Sequence, residues 1–145
     1  MLSLSRDEAE AWCVRHGIPV AHHRPARPAA CTTLPIPDQT GQRVSLVREQ
    51  LAALDGESEI LVWFTEWGVW PSAERQHIFD RFRASYGETR PLIEIPAHAL
   101  ASSEMEDLLS LVTLGVLFLW DVNVIGSSGK RMVFYSHDEM VDVTG

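Results

Sequence analysis

Four consecutive residues near the end of the chain, Ser136-His137-Asp138-Glu139, gather a hydroxyl, an imidazole and two carboxylates, the groups from which acid–base and nucleophilic sites are assembled. Neighbours in sequence point in different directions, so four in a row cannot converge on one reacting atom. The same residues form a helix-start signal, Ser136 to Glu139, which predicts a final helical turn over Met140 and Val141. Catalysis by His137 therefore needs partners from elsewhere, and the candidates are His98, Glu66 and Asp121, with His77 as a further imidazole. Such a set would serve a small hydrolase or isomerase. No histidine has the His-x-x-x-His or His-Glu-x-x-His spacing of a metal site, and the adjacent His22 and His23 diverge. Neither a metal nor a cofactor is expected.

A second group suits binding better than catalysis. Trp67-Gly68-Val69-Trp70-Pro71 follows an apolar run and precedes Ser72, a residue type that caps helix starts. In α/β sheets, ligand clefts lie beyond the carboxyl ends of strands and ahead of helix N-termini. Trp67 and Trp70 could form a rigid aromatic rim there, or close over the sheet end as core lids. Arg90 could hold an anionic ligand or pair on the surface with Glu88. Cys13 and Cys31 are the only cysteines and form no Cys-x-x-Cys, so both read as isolated thiols in a reducing compartment.

These residues have to be positioned by elements whose patterning is readable. Positions 60–65, Ile-Leu-Val-Trp-Phe-Thr, have no polar face, and such a run predicts a central strand covered on both sides. Ser5 and Glu8 form a capping box for a first helix ending at Gly17. Residues 18–37, with five prolines, read as a surface connection in which only 31–36 could pair, as an edge strand. Helices follow at 44–54, from Ser72 to Gly87, and from Ser103 to Gly115. Residues 91–95 read as a second buried strand. Residues 116–125 and 131–136, joined by Gly126-Ser127-Ser128-Gly129, read as an antiparallel hairpin.

The order implies an α/β (or α+β) three-layer sandwich around a mixed, partly parallel sheet of four to five strands, ending in a β-hairpin. One domain over 1–145 is expected, with 1–37 as a helix plus proline-rich arm and 38–145 as the core. From Cys31 onward the element order is similar to that of the thioredoxin fold, and residues 60–67 look like the strand leading into the thioredoxin active site. Gly68, Val69, Trp70, Pro71 and Ser72 occupy the segment where that family has its two cysteines. The resemblance thus implies a degenerate thioredoxin-like protein without Cys-x-x-Cys.

Composition narrows the partners. The 145 residues carry a net charge of −8, distributed as +2 over 1–48, −5 over 49–98 and −5 over 99–145. An acidic surface repels phosphate backbones, so nucleic acid is excluded, while a basic protein would be steered towards it. The longest apolar stretch, 108–120, falls short of the roughly 20 residues of a bilayer span, and the acidic N-terminal decapeptide lacks a signal-peptide core. The expectation is a cytoplasmic, non-catalytic module that binds a protein, which could be basic, or a small ligand, and that could pair with a second copy through sheet edges.

Overall fold

The computed structural model describes residues 1–28, 30–68 and 72–144; of Ser72 and Ala73 it describes the backbone. Trp70 and Val69 lie outside the described residues. In chain order the elements are β1 (Leu2–Leu4), α1 (Arg6–Arg15), β2 (Val20–Ala21), β3 (Arg24–Pro25), β4 (Thr32–Pro35), α2 (Thr40–Ala52), β5 (Glu59–Glu66), α3 (Gln76–Ser85), β6 (Ala97–Ala101), α4 (Met105–Leu117), β7 (Asp121–Gly126), β8 (Met132–Tyr135) and β9 (Met140–Thr144). Short 3-10 turns, Ser72–Arg75 and Ser102–Glu104, precede α3 and α4.

Seven strands form one sheet in the order β1-β6-β5-β7-β8-β9-β4, and β2 and β3 form a separate ribbon. Every ladder among the described residues is antiparallel. The expectation of a partly parallel sheet of four to five strands is corrected on both counts, and the strand order lends the thioredoxin-like plan no support. The fold is nonetheless mixed α/β, with four α-helices among the described residues.

The cause of the misreading lies in how helices and strands are connected. Strand β5 is flanked by β6 and β7, each antiparallel to it, so β6 and β7 share a direction with β5 between them. Helix α4 is therefore a crossover between parallel strands that another strand separates.

The strand at 60–65 is where its composition puts it. Ile60, Val62 and Phe64 point into a core built with Val47, Leu51, Phe79, Leu108 and Val112 of α2, α3 and α4. Leu61 and Trp63 point the other way, onto Ala9, Trp12 and Cys13 of α1. Burying each of these large side chains contributes about 1.5–3 kcal/mol. Helix α1 starts at the expected capping box, with the Glu8 amide donating to Ser5 Oγ at 3.3 Å and the Ser5 amide to Glu8 Oε2 at 2.7 Å. Trp12 fixes its other end by donating from Nε1 to Glu59 Oε2 at 3.0 Å.

Several element boundaries differ from the sequence reading. Residues 91–95 make a turn, and the neighbouring strand is Ala97–Ala101, which carries no β-branched residue. The segment 116–120 belongs to α4 and its exit, so the first hairpin strand starts at Asp121. Ser136–Glu139 is the β8–β9 turn, with the Ser136 amide donating to Met140 O at 2.8 Å, so Met140 and Val141 are in a strand and form no helical turn. The sheet edges are β1 and β4, so the edge strand expected at 31–36 is at an edge, while the β7–β8 hairpin lies inside the sheet.

Gly115 does not end α4; it lets the helix touch the sheet. A Cβ there would lie 2.6 Å from Val122 Cγ2 and 2.9 Å from Phe64 Cε1. The helix instead closes at Leu119 (φ 58°), whose amide donates to Val116 O at 3.2 Å while that of Trp120 donates to Gly115 O at 3.0 Å, the paired bonds of a Schellman motif. Gly115→Ala sets about 1 kcal/mol of helix propensity against roughly 1–3 kcal/mol of overpacking, so it should lower the urea midpoint. Gly41→Ala in α2, where a Cβ meets nothing within 4 Å, should leave it unchanged or raise it.

Candidate functional site

Where β5 leaves the sheet, the chain passes from Thr65 through Glu66 to Trp67. A register shift between Phe64 and Glu66 brings Glu66 opposite Asp121 and breaks the strict alternation of the strand. Glu66 Oε1 accepts the amides of Trp67 (3.1 Å) and Gly68 (3.0 Å), so the carboxylate folds the exit into a turn. Trp67 is half-buried, packed in part on the larger core.

Trp67 also faces a cavity of about 290 Å³ on the α1 side, whose inner wall is Trp63, Thr65, Trp67 and Pro96. The opposite wall comes from the N-terminal arm: Arg6 at the start of α1, and His22, His23 and Arg24 at the β2–β3 ribbon. Pro96 is held by the Phe64 amide, which donates to its carbonyl at 2.9 Å. Asn123 on β7 donates from Nδ2 to Trp63 O (3.3 Å) and Thr65 Oγ1 (3.1 Å). A carbonyl can only accept, so this pair of contacts fixes the amide orientation. Thr65 Oγ1 is therefore the acceptor from Asn123, and its own O–H is left to donate elsewhere.

The ribbon turn is strained. His22 and His23 have φ of 52° and 59°, and register pairs Ala21 with Arg24, leaving these two as a two-residue loop. Such loops favour Asn-Gly because both central residues need φ > 0. Each histidine in this region costs about 1–2 kcal/mol. His23 Nδ1 lies 2.8 Å from Glu10 Oε1. Among the described residues, Arg6, His22 and Arg24 have no ion-pairing carboxylate.

The expected catalytic candidates separate into two environments. His137 Nδ1 lies 2.7 Å from Asp121 Oδ1, which also accepts the His137 amide at 2.8 Å. The carboxylate can only accept, so Nδ1 carries the proton. His137 Nε2 is 3.6 Å from Asp138 Oδ1. The hydrogen bond to Asp121, opposed by partial burial and reinforced by Asp121, Asp138 and Glu66, raises the imidazole above its ordinary pKa. The contact with Asp121 thus favours the protonated ring.

His98 is completely buried on β6. Burial, with the Arg83 charge assisting, pushes its pKa down to about 3. Its Nδ1 is 3.4 Å from Ser3 Oγ, and Nε2 has no hydrogen-bond partner among the described residues. Arg83, also buried, donates to Arg90 O at 3.2 Å and Ile95 O at 2.9 Å, tying the turn at 91–95 to α3. Arg90 itself grips Glu88 through Nε (2.9 Å) and Nη2 (2.6 Å), and this ion pair holds the Glu88 carboxyl down to about 2. Arg90 does not line the Trp67 cavity.

His77 is exposed at the start of α3, with Nδ1 3.0 Å from Glu74 O. No group of three or more His, Cys, Asp or Glu side chains among the described residues is placed to hold a metal ion. Both thiols are free; Cys31 is exposed, and burial, with Glu10 nearby, pushes buried Cys13 up to about 11.

No protein-family model, curated protein or solved structure matches the chain.

Arg6, Arg24, Thr65 and Asn123 escape sequence reasoning because each comes from a different element. One usable signal was present: two residues, His-His, sit between segments that pair as a ribbon. No helix among the described residues is long and apolar enough to cross a membrane.

The neutral burial of His98 has a measurable consequence. The unfolded chain binds a proton near pH 6.5, whereas the folded chain does not until about 3. Stability from this group is complete above pH 6.5 and is lost as pH falls through that window. Lowered carboxylates such as Glu88 lose theirs from 4.5 downward. Chemical denaturation between pH 6.5 and 4.5 should therefore show a decline that His98→Leu flattens.

Proposed function

We propose that this chain is a non-catalytic binding module whose small ligand occupies the cavity beside Trp67. One observation carries this reading: the central strand delivers Trp63, Thr65 and Trp67 to a single half-open pocket. The half-buried Trp67 indole with the Thr65 hydroxyl beside it suits recognition of a flat group with a polar end. The lining residues include no carboxylate and no thiol, and among the described residues no hydrogen bond joins its hydroxyl, Thr65, to His22 or His23: Thr65 Oγ1 meets Asn123 and His23 meets Glu10, so no base is positioned on the hydroxyl. A cytoplasmic setting belongs to the same reading, supported by two unbonded thiols. The acidic surface could still steer a basic protein partner, and the open edges β1 and β4 could pair with a second copy.

Ligand-observed NMR against a panel of phenol, benzylamine, benzoate and phenyl phosphate tests this reading. At least one compound should bind saturably, and Trp67→Ala should weaken it about tenfold, the loss expected for removing a large aromatic contact. A panel that shows no saturable binding, or binding indifferent to Trp67→Ala, overturns the assignment.

A second reading is a proton-transfer site at Asp121–His137, favoured by their 2.7 Å contact. The neighbouring carboxylate raises the imidazole pKa and so favours its acid form. Asp121→Asn should lower the His137 pKa towards the ordinary histidine value, as read from the pH dependence of its ring proton shifts. The same substitution should also reduce stability most below pH 6.5, because a raised pKa contributes there and fades as pH rises through the folded value. An unchanged His137 titration would remove Asp121 as its partner.

A further inference from the structure

The charges around this cavity oppose those of the chain that builds it. The molecule carries −8 overall, yet the titratable side chains lining the cavity are Arg6, Arg24, His22 and His23. The two arginines and His22 have no carboxylate counter-charge among the described residues. Arg6 and Arg24 bring two like charges to the rim of one half-open space, and an anion entering it offsets their repulsion.

Resting on the binding-module reading, we propose that the cavity is a phosphoryl site, taking a small phosphate monoester attached to a flat ring. Arg6 and Arg24 supply charge and forked donors, the arrangement that suits phosphate. Thr65 supplies a neutral donor, because Asn123 occupies its oxygen as an acceptor and leaves the hydroxyl proton free. Donors of different geometry, from α1, the ribbon and β5, suit a tetrahedral oxyanion better than a planar carboxylate. Trp67, half-buried at the exit of β5, accepts the ring.

Two further observations point the same way. A volume of about 290 Å³ lies at the low end for ligand sites and has room for one small molecule. The surrounding negative charge repels long polyanions, so the site selects a compact anion over nucleic acid. The strained ribbon turn is the independent observation. Histidines at 22 and 23 hold a conformation that Asn-Gly would adopt without cost, and Arg24 follows directly. Strain of this sort persists where it serves a site.

The test measures phenyl phosphate, inorganic phosphate, benzoate, benzylamine and phenol by titration calorimetry at low and moderate salt. Phenyl phosphate should bind more tightly than benzoate or phenol, weaken with salt, and lose about tenfold or more in Arg24→Gln and in Arg6→Gln, as for loss of a charged hydrogen bond. The double substitution His22→Asn with His23→Gly should raise the thermal midpoint and weaken phenyl phosphate, which separates loss of the site from loss of the fold. Benzoate binding more tightly than phenyl phosphate overturns the phosphoryl assignment. Phenyl phosphate binding that is indifferent to both arginine substitutions also overturns it. Trp67-dependent binding of phenol or benzylamine alone overturns the anion while sparing the binding module, whereas no binding by any of the five overturns both.

Discussion

A strand that buries every side chain from Ile60 to Phe64 imposes a condition on the whole molecule: apolar material must cover it above and below. Exposing either face would forfeit several side chains at about 1.5–3 kcal/mol each, a sum comparable with the net stability of a domain this size. Helix α1 meets the condition on one face and α2, α3 and α4 on the other. The strand also needs partners for its backbone on both edges, which β6 and β7 supply. Gly115 follows from the same demand, since α4 must cross β5 closely enough to seal Phe64. At Thr65 the covering stops, and that is where the chain opens the cavity.

Legibility followed burial and failed with direction. The two-faced composition of 60–65 and the Ser5–Glu8 box were readable because each signal is local. Ala97–Ala101 was not, since Ala-His-Ala-Leu-Ala has weak strand propensity and becomes a strand through its partners on β1 and β5. Alternating helices and strands suggested parallel neighbours, but residues 86–96 bring the chain back to the end of β5, where Phe64 binds Pro96 O. Gly115 carried the signature of a helix end and proved to be a packing site. The true end is a leucine in a left-handed conformation, which propensity does not anticipate.

The candidate site divides similarly. Trp67 was visible as part of an aromatic cluster, and the excess of arginine over acids in the first 48 residues was visible as a charge imbalance. What joins them is tertiary: α1 docks Trp12 onto Glu59, and this brings the ribbon over the exit of β5. Asp121 and His137 were plausible partners by type, and a strand start and a hairpin turn bring them together. His98 was plausible by type as well, and burial removes it from proton chemistry near neutrality.

The sheet ladder also sets an order on synthesis. Strand β1 has only β6 as its sheet neighbour, and β4 has only β9, so the two outermost strands wait for residues made about a hundred positions later. Helix α1 rests partly on Ile125 and Met132. A nascent chain emerging from the ribosome thus leaves β1 unpaired until residues 97–99 have been made and β4 until residues 140–143 have been made, and high contact order of this kind slows folding. The pocket beside Trp67 is lined wholly by residues up to Pro96, made before the partner strand of β4.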